Sequence, residues 1–393
     1  MPKVMKFGGS SLSDYRCFKR AAQSIKSCGA ETVVVSAPGK RYKADEKITD
    51  LLKKADNHGI FSRRYRRLVA KRMRRIWTAL KKDESVGIFP DSDAEFDAVL
   101  SDIFMQFGDC LLSRGEYFSA VVMSKILGYE LVDAKEVIIF GDDGQPDLKS
   151  SILSAKAVLS GRKAVVPGFY GADKTGSVRV LPRGGSDITG AIIAAAVGAE
   201  QYLNCTDVPG VMRADPDIIK KAQAVGCLTL CQMYGLALAG ADVVHPDAAK
   251  ILCGGNVEMV VKGAFSKERG TVVSCRNVCA CGAEICDRCK MSRKMPVADY
   301  KAVYQWKKTS SSGAISHSNF TAAAVSGRDG LIAVAYDGDC ESKAAECVLG
   351  TLAAQGIYAE SAYFLGSGCL MLKIKRTFVT KALRVLYGAF IER

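Results

Sequence analysis

Two short stretches carry residue types that could manage negative charge. Lys6-Phe7-Gly8-Gly9-Ser10-Ser11 puts a lysine at the end of an apolar run, followed by backbone able to turn tightly and aim its N–H groups at one point. That geometry suits a phosphate. The G-x-x-x-x-G-K-[ST] spacing of a P-loop is absent, and a Gly-Gly after a strand also serves as a plain turn. Further on, Arg183-Gly184-Gly185-Ser186-Asp187 opens an Ala-rich segment. The free N–H groups and positive end of a helix starting there would attract an anion, and the Arg183 guanidinium could hold a carboxylate with two parallel hydrogen bonds. Asp187 reads equally as a helix cap. Two glycine turns, each led by a cation, point to phosphoryl transfer.

The elements that would position these turns follow from periodicity. Residues 2–7 read as a short strand, Asp14 to Cys28 as a helix closed by Gly29, and Thr32 to Ala37 as a strand buried on both faces. This is the opening of a strand-helix-strand unit. From Tyr42 to Gly128 apolar residues recur every three to four positions, which predicts an inserted helical layer. Strands return at Ala164 to Val166, Ser177 to Leu181 and Tyr202 to Thr206, with an all-round apolar helix from Asp187 to Ala199. Helices at Cys231 to Ala239 and Ala248 to Cys253 precede a strand at Val257 to Lys262. From Gly330 to Arg393 the order is β-α-β-β-α, most of a ferredoxin-like α+β module.

The 393 residues, 48% hydrophobic and 24% charged, describe a globular chain large enough for two or three domains. No apolar stretch approaches the ~20 residues of a membrane span, and the N-terminal residues lack a signal-like apolar region, so a cytoplasmic protein with no membrane partner is expected. The formal charge is +14, and Phe61 to Lys82 holds Arg63, Arg64, Arg66, Arg67, Lys71, Arg72, Arg74, Arg75, Lys81 and Lys82 without an acid. This run reads either as a contact for a phosphate-rich polymer or acidic surface, or as a solvated face opposite an apolar stripe of Tyr65, Leu68, Val69, Met73, Ile76 and Leu80. With no nucleic-acid motif beside it, the solvated face is favoured and no nucleic-acid partner is expected. Fifteen cysteines without an export signal imply reduced thiols. Cys279, Cys281, Cys286 and Cys289 could supply four thiolates to a structural Zn2+, or could lie in a cysteine-tolerant surface loop.

A series of ordered blocks then resembles one family. KFGGSSLSD (6–14), VVVSAPGK (33–40), ITDLL (48–52), SRGEYFSA (113–120), PGFYG (167–171), LPRGGSD (181–187), TDVPGV (206–211), ADP (214–216), GADVVHP (240–246) and RGTVV (269–273) are similar to the aspartate kinases, in order and at the expected separations. The resemblance implies an amino-acid kinase fold, an α/β/α sandwich around a largely parallel eight-stranded sheet, with a C-terminal ferredoxin-like (ACT) α+β region. The implied domains are a catalytic domain at 1–263 with its helical insertion at about 42–128, a Cys-rich linker or reduced first ACT unit at 264–329, and an ACT-like domain at 330–393. The implied activity is phosphoryl transfer from ATP, with Mg2+, to the β-carboxylate of L-aspartate, giving 4-phospho-L-aspartate, the entry to lysine, threonine and methionine synthesis. A homodimer through the ACT-like region is implied as well.

Residue by residue, the resemblance puts Lys6 on the transferring phosphoryl group, with Gly8, Gly9 and Ser10 in the phosphate turn and Gly8 and Gly9 as backbone donors. It gives Glu116 the substrate α-amino group and Arg183 the α-carboxylate. Asp187 would orient Lys6 and the metal-bound phosphates, while Ser36, Thr49 and Ser186 would be hydroxyl contacts. Thr206, Asp207, Met212 and Asp217 fall on the nucleotide side. Three positions differ from the commonest family pattern: Met212 replaces a frequent tyrosine, Asp217 an arginine and Asp242 a lysine. Added acid beside a triphosphate repels it unless Mg2+ or bases such as Arg213 and Lys220 compensate. A second reading is therefore a catalytically weakened paralogue acting as a regulatory or ligand-binding subunit.

Overall fold

The computed structural model describes residues 2–57, 62–86, 93–182, 184–241, 243–274, 320–326, 330–336, 341–364 and 368–391. The chain forms two compact units, Met1–Val208 with Lys262–Glu268, and Pro209–Val261 with Arg269–Arg393.

In the first unit, β1 (Lys3–Phe7), β2 (Thr32–Val35), β3 (Glu130–Leu131), β4 (Ala164–Pro167) and β7 (Gln201–Thr206) lie in the order β3-β4-β2-β1-β7, every pair parallel. A short antiparallel hairpin joins β5 (Tyr170–Ala172) to β6 (Val178–Val180). Alternation along the strands divides two faces. Met5, Phe7, Val33, Val35, Val165, Leu203 and Cys205 share one core with the helices α1 (Tyr15–Cys28), α2 (Ile48–Asn57), α3 (Ser62–Lys81), α4 (Ala94–Met105) and α6 (Arg114–Leu127). On the other face α8 (Gly185–Ala196) packs against β1, β2 and β7 and beside α7 (Leu148–Leu159). Lys6 belongs to this second parity, and its register partners are Val34 and Asn204.

Local chemistry explains the helix boundaries. Asp14 caps α1 by accepting from the Cys17 N–H, and Gly29, with φ of +69°, ends it in the left-handed conformation. Helices α2 to α6, including α5 (Gly108–Leu112), form the inserted layer, closed internally by Trp77 stacked on Phe96 at 4.8 Å. Val69, Met73, Ile76 and Leu80 of α3 face the core as their spacing predicts, whereas Leu68 is 42% exposed. Two of the α3 arginines are buried because they bind carbonyl groups. Arg66 donates to Ile103 and Gln106, and Arg72 donates to Glu46, Ser13 and Gly39 beside Asp45.

In the second unit, β8 (Cys227–Thr229) runs parallel to β10 (Thr271–Ser274), which pairs antiparallel with β9 (Glu258–Gly263). The helices are α9 (Leu230–Leu238), with a Thr229/Gln232 capping box, and α10 (Pro246–Gly255). A separate antiparallel sheet has the order β11-β12-β14-β13, from β11 (Phe320–Ser326), β12 (Leu331–Tyr336), β13 (Ala359–Phe364) and β14 (Cys369–Ile374). With α11 (Glu341–Ala353) and α12 (Val379–Phe390) it gives the α+β arrangement expected from residue 330 onward, plus one strand, β11, that periodicity did not single out. Ile332, Val334, Leu370 and Leu372 share a core with Val348 and Leu352 of α11 and Leu383 and Leu386 of α12. Ala214 and Ala222 enter the same core, with Met212, Ile218 and Ile219 packed against it. The Gln232 side chain donates to the Tyr336 carbonyl at 2.9 Å.

Among the described residues no helix is long and apolar enough to cross a membrane, and the cysteines are free thiols. Cys279, Cys281, Cys286 and Cys289 lie outside the described residues.

Candidate active site in the first unit

Lys6 is the penultimate residue of β1, in its buried part, and is only 8% exposed. Its Nζ lies 2.6 Å from Asp187 Oδ1 and donates to Asn204 Oδ1 at 3.4 Å. The period of 2 along a strand sets this up: β1 and β7 place Lys6 and Asn204 side by side on the face that α8 covers. Asp187 reaches them from the first turn of α8. The N-cap of that helix is Gly184, at φ +83°, so Asp187 is not the cap, and its carboxylate pairs with Lys6. A buried ammonium between a carboxylate and an amide oxygen is held in one position at the mouth of a helix N-terminus.

Beyond Lys6 the chain turns through Gly8 and Gly9 into a short 3-10 turn, Gly9–Leu12. Here one expectation is corrected. The Gly8 N–H donates to the Cys205 carbonyl at 3.1 Å, so it is unavailable to a phosphate. Gly9 and Ser10 have no backbone acceptor among the described residues and are the donors the turn presents. Gly9 is required by contact with a second turn, Ala37 to Gly39. A Cβ on Gly9 would lie 2.6 Å from the Ala37 carbonyl oxygen, and one on Gly39 would lie 2.6 Å from the Gly9 carbonyl oxygen. The Gly39 N–H donates to that same Gly9 oxygen at 2.7 Å. Backbone meets backbone, and only glycine fits either side.

The Ala37 corner also reaches Glu116. A Cβ on Gly115 would lie 2.7 Å from Ala37 Cβ, and the Ala37 backbone hydrogen-bonds the Glu116 carboxylate. Glu116 is 4% exposed. Burial disfavours the ionised form and pushes the Glu116 carboxyl up to about 8, against the opposing pull of backbone hydrogen bonds and the Lys53 charge. One carboxylate oxygen, Oε2, is buried without a hydrogen-bond partner. Such an atom leaves room for a donor from a ligand.

Ser36 follows β2, its N–H bonded to the Phe7 carbonyl, and Thr49 stands in the first turn of α2, whose Ile48 N–H is anchored on Pro38. Ser186 packs against the loop after β4, where a Cβ on Gly168 would touch it at 2.7 Å. Arg183 and Asp242 lie outside the described residues. Thr206 ends β7, its hydroxyl donating to Asp207 at 3.1 Å and its carbonyl accepting from Ala264. Thus Lys6, Gly8, Gly9, Ser10, Ser36, Glu116 and Asp187 are linked through shared neighbours. Met212 and Asp217 belong to the second unit, where Met212 packs on the C-terminal core and Asp217 is exposed and 3.4 Å from Lys220. Sequence reasoning missed Asn204. The available signal was a polar side chain in the middle of the buried run Gln201–Thr206.

The model of the amino acid kinase family matches residues 1–263. Aspartokinase 1 of Bacillus subtilis is 30% identical over 301 residues, covering 72% of this chain; the chain spans 63% of that relative's length. The aspartate kinase of Clostridium acetobutylicum, an allosteric enzyme, superposes with a TM-score of 0.72 at 25% identity, covering 99% of both chains. Aspartokinase III of E. coli, solved with aspartate and ADP, gives a TM-score of 0.74 at 19% identity over all of both chains, a likeness of fold. Taken with the parallel sheet and the two glycine turns, the match over residues 1–263 makes this chain a member of the amino acid kinase family.

Proposed function

We propose that the chain is an aspartate kinase that transfers the γ-phosphoryl group of ATP to the β-carboxylate of L-aspartate. The observation that carries this reading is Lys6, held between Asp187 and Asn204 beside the Gly9–Ser10 turn, with the buried Glu116 joined to the same turn through Ala37. In the step, a β-carboxylate oxygen forms a bond to the γ-phosphorus as the bond from that phosphorus to the bridging oxygen breaks. ADP leaves with the electron pair. The nucleophile is already ionised at neutral pH, so no proton has to move and positioning and charge do the catalysis. Lys6 balances charge on the transferring group, the Gly9 and Ser10 N–H groups bind its oxygens, and Glu116 takes the substrate ammonium. Arg183, Ser36, Thr49 and Ser186 are assigned to the remaining substrate groups. Thr206, Asp207, Met212 and Asp217 are assigned to the nucleotide side.

Mg2+ when bound neutralises and orients the phosphates. It is commonly held by one or two carboxylates plus phosphate oxygens and water. Asp187, in the first turn of α8 beside Lys6, would supply such a carboxylate. Lys220 beside Asp217 offsets the acid that replaces the family's arginine. We further assign 1–263 to the catalytic domain, 264–329 to a linker or reduced ACT unit, and 330–393 to an ACT-like module that joins two copies in a cytoplasmic homodimer.

An ADP-release assay with aspartate and Mg·ATP tests the reading on the wild type and on Lys6→Met. Loss of the cation should lower kcat by roughly 10²- to 10³-fold with a much smaller change in KM for aspartate. Release of ADP with another amino acid but not with aspartate would reassign the enzyme.

A further inference from the structure

Asn204 touches Lys6, yet the proposed reaction gives its amide no task of its own. It stands in the middle of β7 between the buried Leu203 and Cys205, and is itself 0% exposed. A buried parallel strand favours Val, Ile or Leu at such a place, and a buried amide costs free energy unless it is hydrogen-bonded. Parallel pairing sets Asn204 beside Lys6, and the amide oxygen accepts from Lys6 Nζ at 3.4 Å. An ammonium has three N–H donors and no acceptor, so the amide must turn its oxygen toward it. With Asp187 Oδ1 at 2.6 Å, two of the three donors have acceptors among the described residues. The ammonium also lies along the glycine turn, 3.8 Å from where a Cβ on Gly8 would stand.

We propose that Asn204 is a positioning residue: a neutral acceptor that fixes the aim of Lys6 without cancelling its charge. This rests on the reading of Lys6 as the cation on the transferring phosphoryl group. Three kinds of side chain can be compared at position 204. An apolar one would leave a donor of the buried ammonium unmet, and the ammonium would settle onto Asp187 alone. Its direction toward the turn would be lost. A carboxylate would hold the ammonium as well as the amide does, but would add a second negative charge beside Asp187. Two acids around one base repel an approaching triphosphate, in a buried place where salt and water screen the repulsion little. An amide avoids both faults. Asp187 already compensates the burial of the ammonium, so Asn204 adds direction and no charge.

Two substitutions of nearly the same shape, Asn204→Leu and Asn204→Asp, separate these effects in the full chain. Calorimetric titration with Mg2+ and adenylyl imidodiphosphate, a non-hydrolysable ATP analogue, reads nucleotide affinity without turnover, and aspartate-dependent ADP release reads kcat. Asn204→Leu should lower kcat by about ten- to a hundredfold, while nucleotide affinity and KM for aspartate change by less than about threefold. Asn204→Asp should weaken nucleotide affinity roughly tenfold, the effect of one unit charge about 10 Å away at an effective dielectric constant of about 20. In a Lys6→Met background Asn204→Leu should lower kcat no further, because no ammonium is left to aim. A purely structural asparagine would lower it again, in step with the melting temperature. Wild-type kcat in Asn204→Leu, wild-type nucleotide affinity in Asn204→Asp, or a full additional loss in the double variant would each overturn the assignment. If Asn204→Leu folds poorly, Asn204→Asp decides, and unfolding of both would show a structural role and overturn it too. A wild-type protein that releases no ADP with aspartate would instead remove the aspartate-kinase reading, while the nucleotide titration of Asn204→Asp still tests this one.

Discussion

At the scale of single residues the most informative group is Glu116. Its carboxyl, ordinarily near 4.5, is pushed up to about 8 by burial, so the folded protein holds a proton there that the unfolded chain releases. The sign follows: between about pH 4.5 and 8 the folded state binds more protons, and this group's contribution to stability falls as pH rises across that window. A ligand ammonium reverses the balance, because it favours the ionised form. Aspartate binding near pH 7 should therefore release a proton and tighten with rising pH by up to about tenfold per unit until pH 8. Calorimetric titration in buffers of different ionisation enthalpy measures that proton, and Glu116→Gln should remove both the proton release and the pH dependence. A pH-independent wild-type affinity would mean that Glu116 does not meet the amino group. The sequence showed Lys6, Asp187 and Glu116 because their blocks stand in order. Asn204 stayed hidden because its role depends on strand pairing between residues 198 positions apart, which local spacing does not express.

At the scale of elements, the interlock of the Gly9 and Ala37–Gly39 turns is the stiffest feature of the site. Gly39→Ala puts a methyl group 2.6 Å from the Gly9 oxygen and should cost about 1–3 kcal/mol as the two turns are forced apart. Gly29→Ala is the comparison: its φ is +69° but nothing crowds it, so only the backbone cost of about 1 kcal/mol applies. Urea denaturation of both gives the stabilities, and the site geometry predicts that only Gly39→Ala also lowers kcat. Helices and central strands were legible because their apolar periods are long. Bounds moved by one to three residues, as with the predicted helix from Asp187, which begins at Gly185 because Gly184 supplies the left-handed entry. Short strands such as β8 and β10 escaped, since three or four residues carry too little pattern to separate strand from loop.

For the whole molecule, the notable organisation is that the C-terminal α+β core also contains Ala214 and Ala222, with Met212, Ile218 and Ile219 against it. Sequence pattern alone could not reveal this, because it joins segments more than a hundred residues apart. Removing residues 320–393 should therefore do more than delete a module. It should expose the 212–222 segment, seen as rapid proteolytic cleavage there and as loss of affinity for ADP. A truncated chain that resists protease at 212–222 would contradict the shared core. The same sharing bears on biosynthesis. Ala214 leaves the ribosome long before Leu386 and Phe390, its companions in that core. At about 5–20 residues per second the interval is on the order of ten to thirty seconds. Throughout it the nascent segment keeps its apolar side chains uncovered, in a window where chaperones or premature association can claim it.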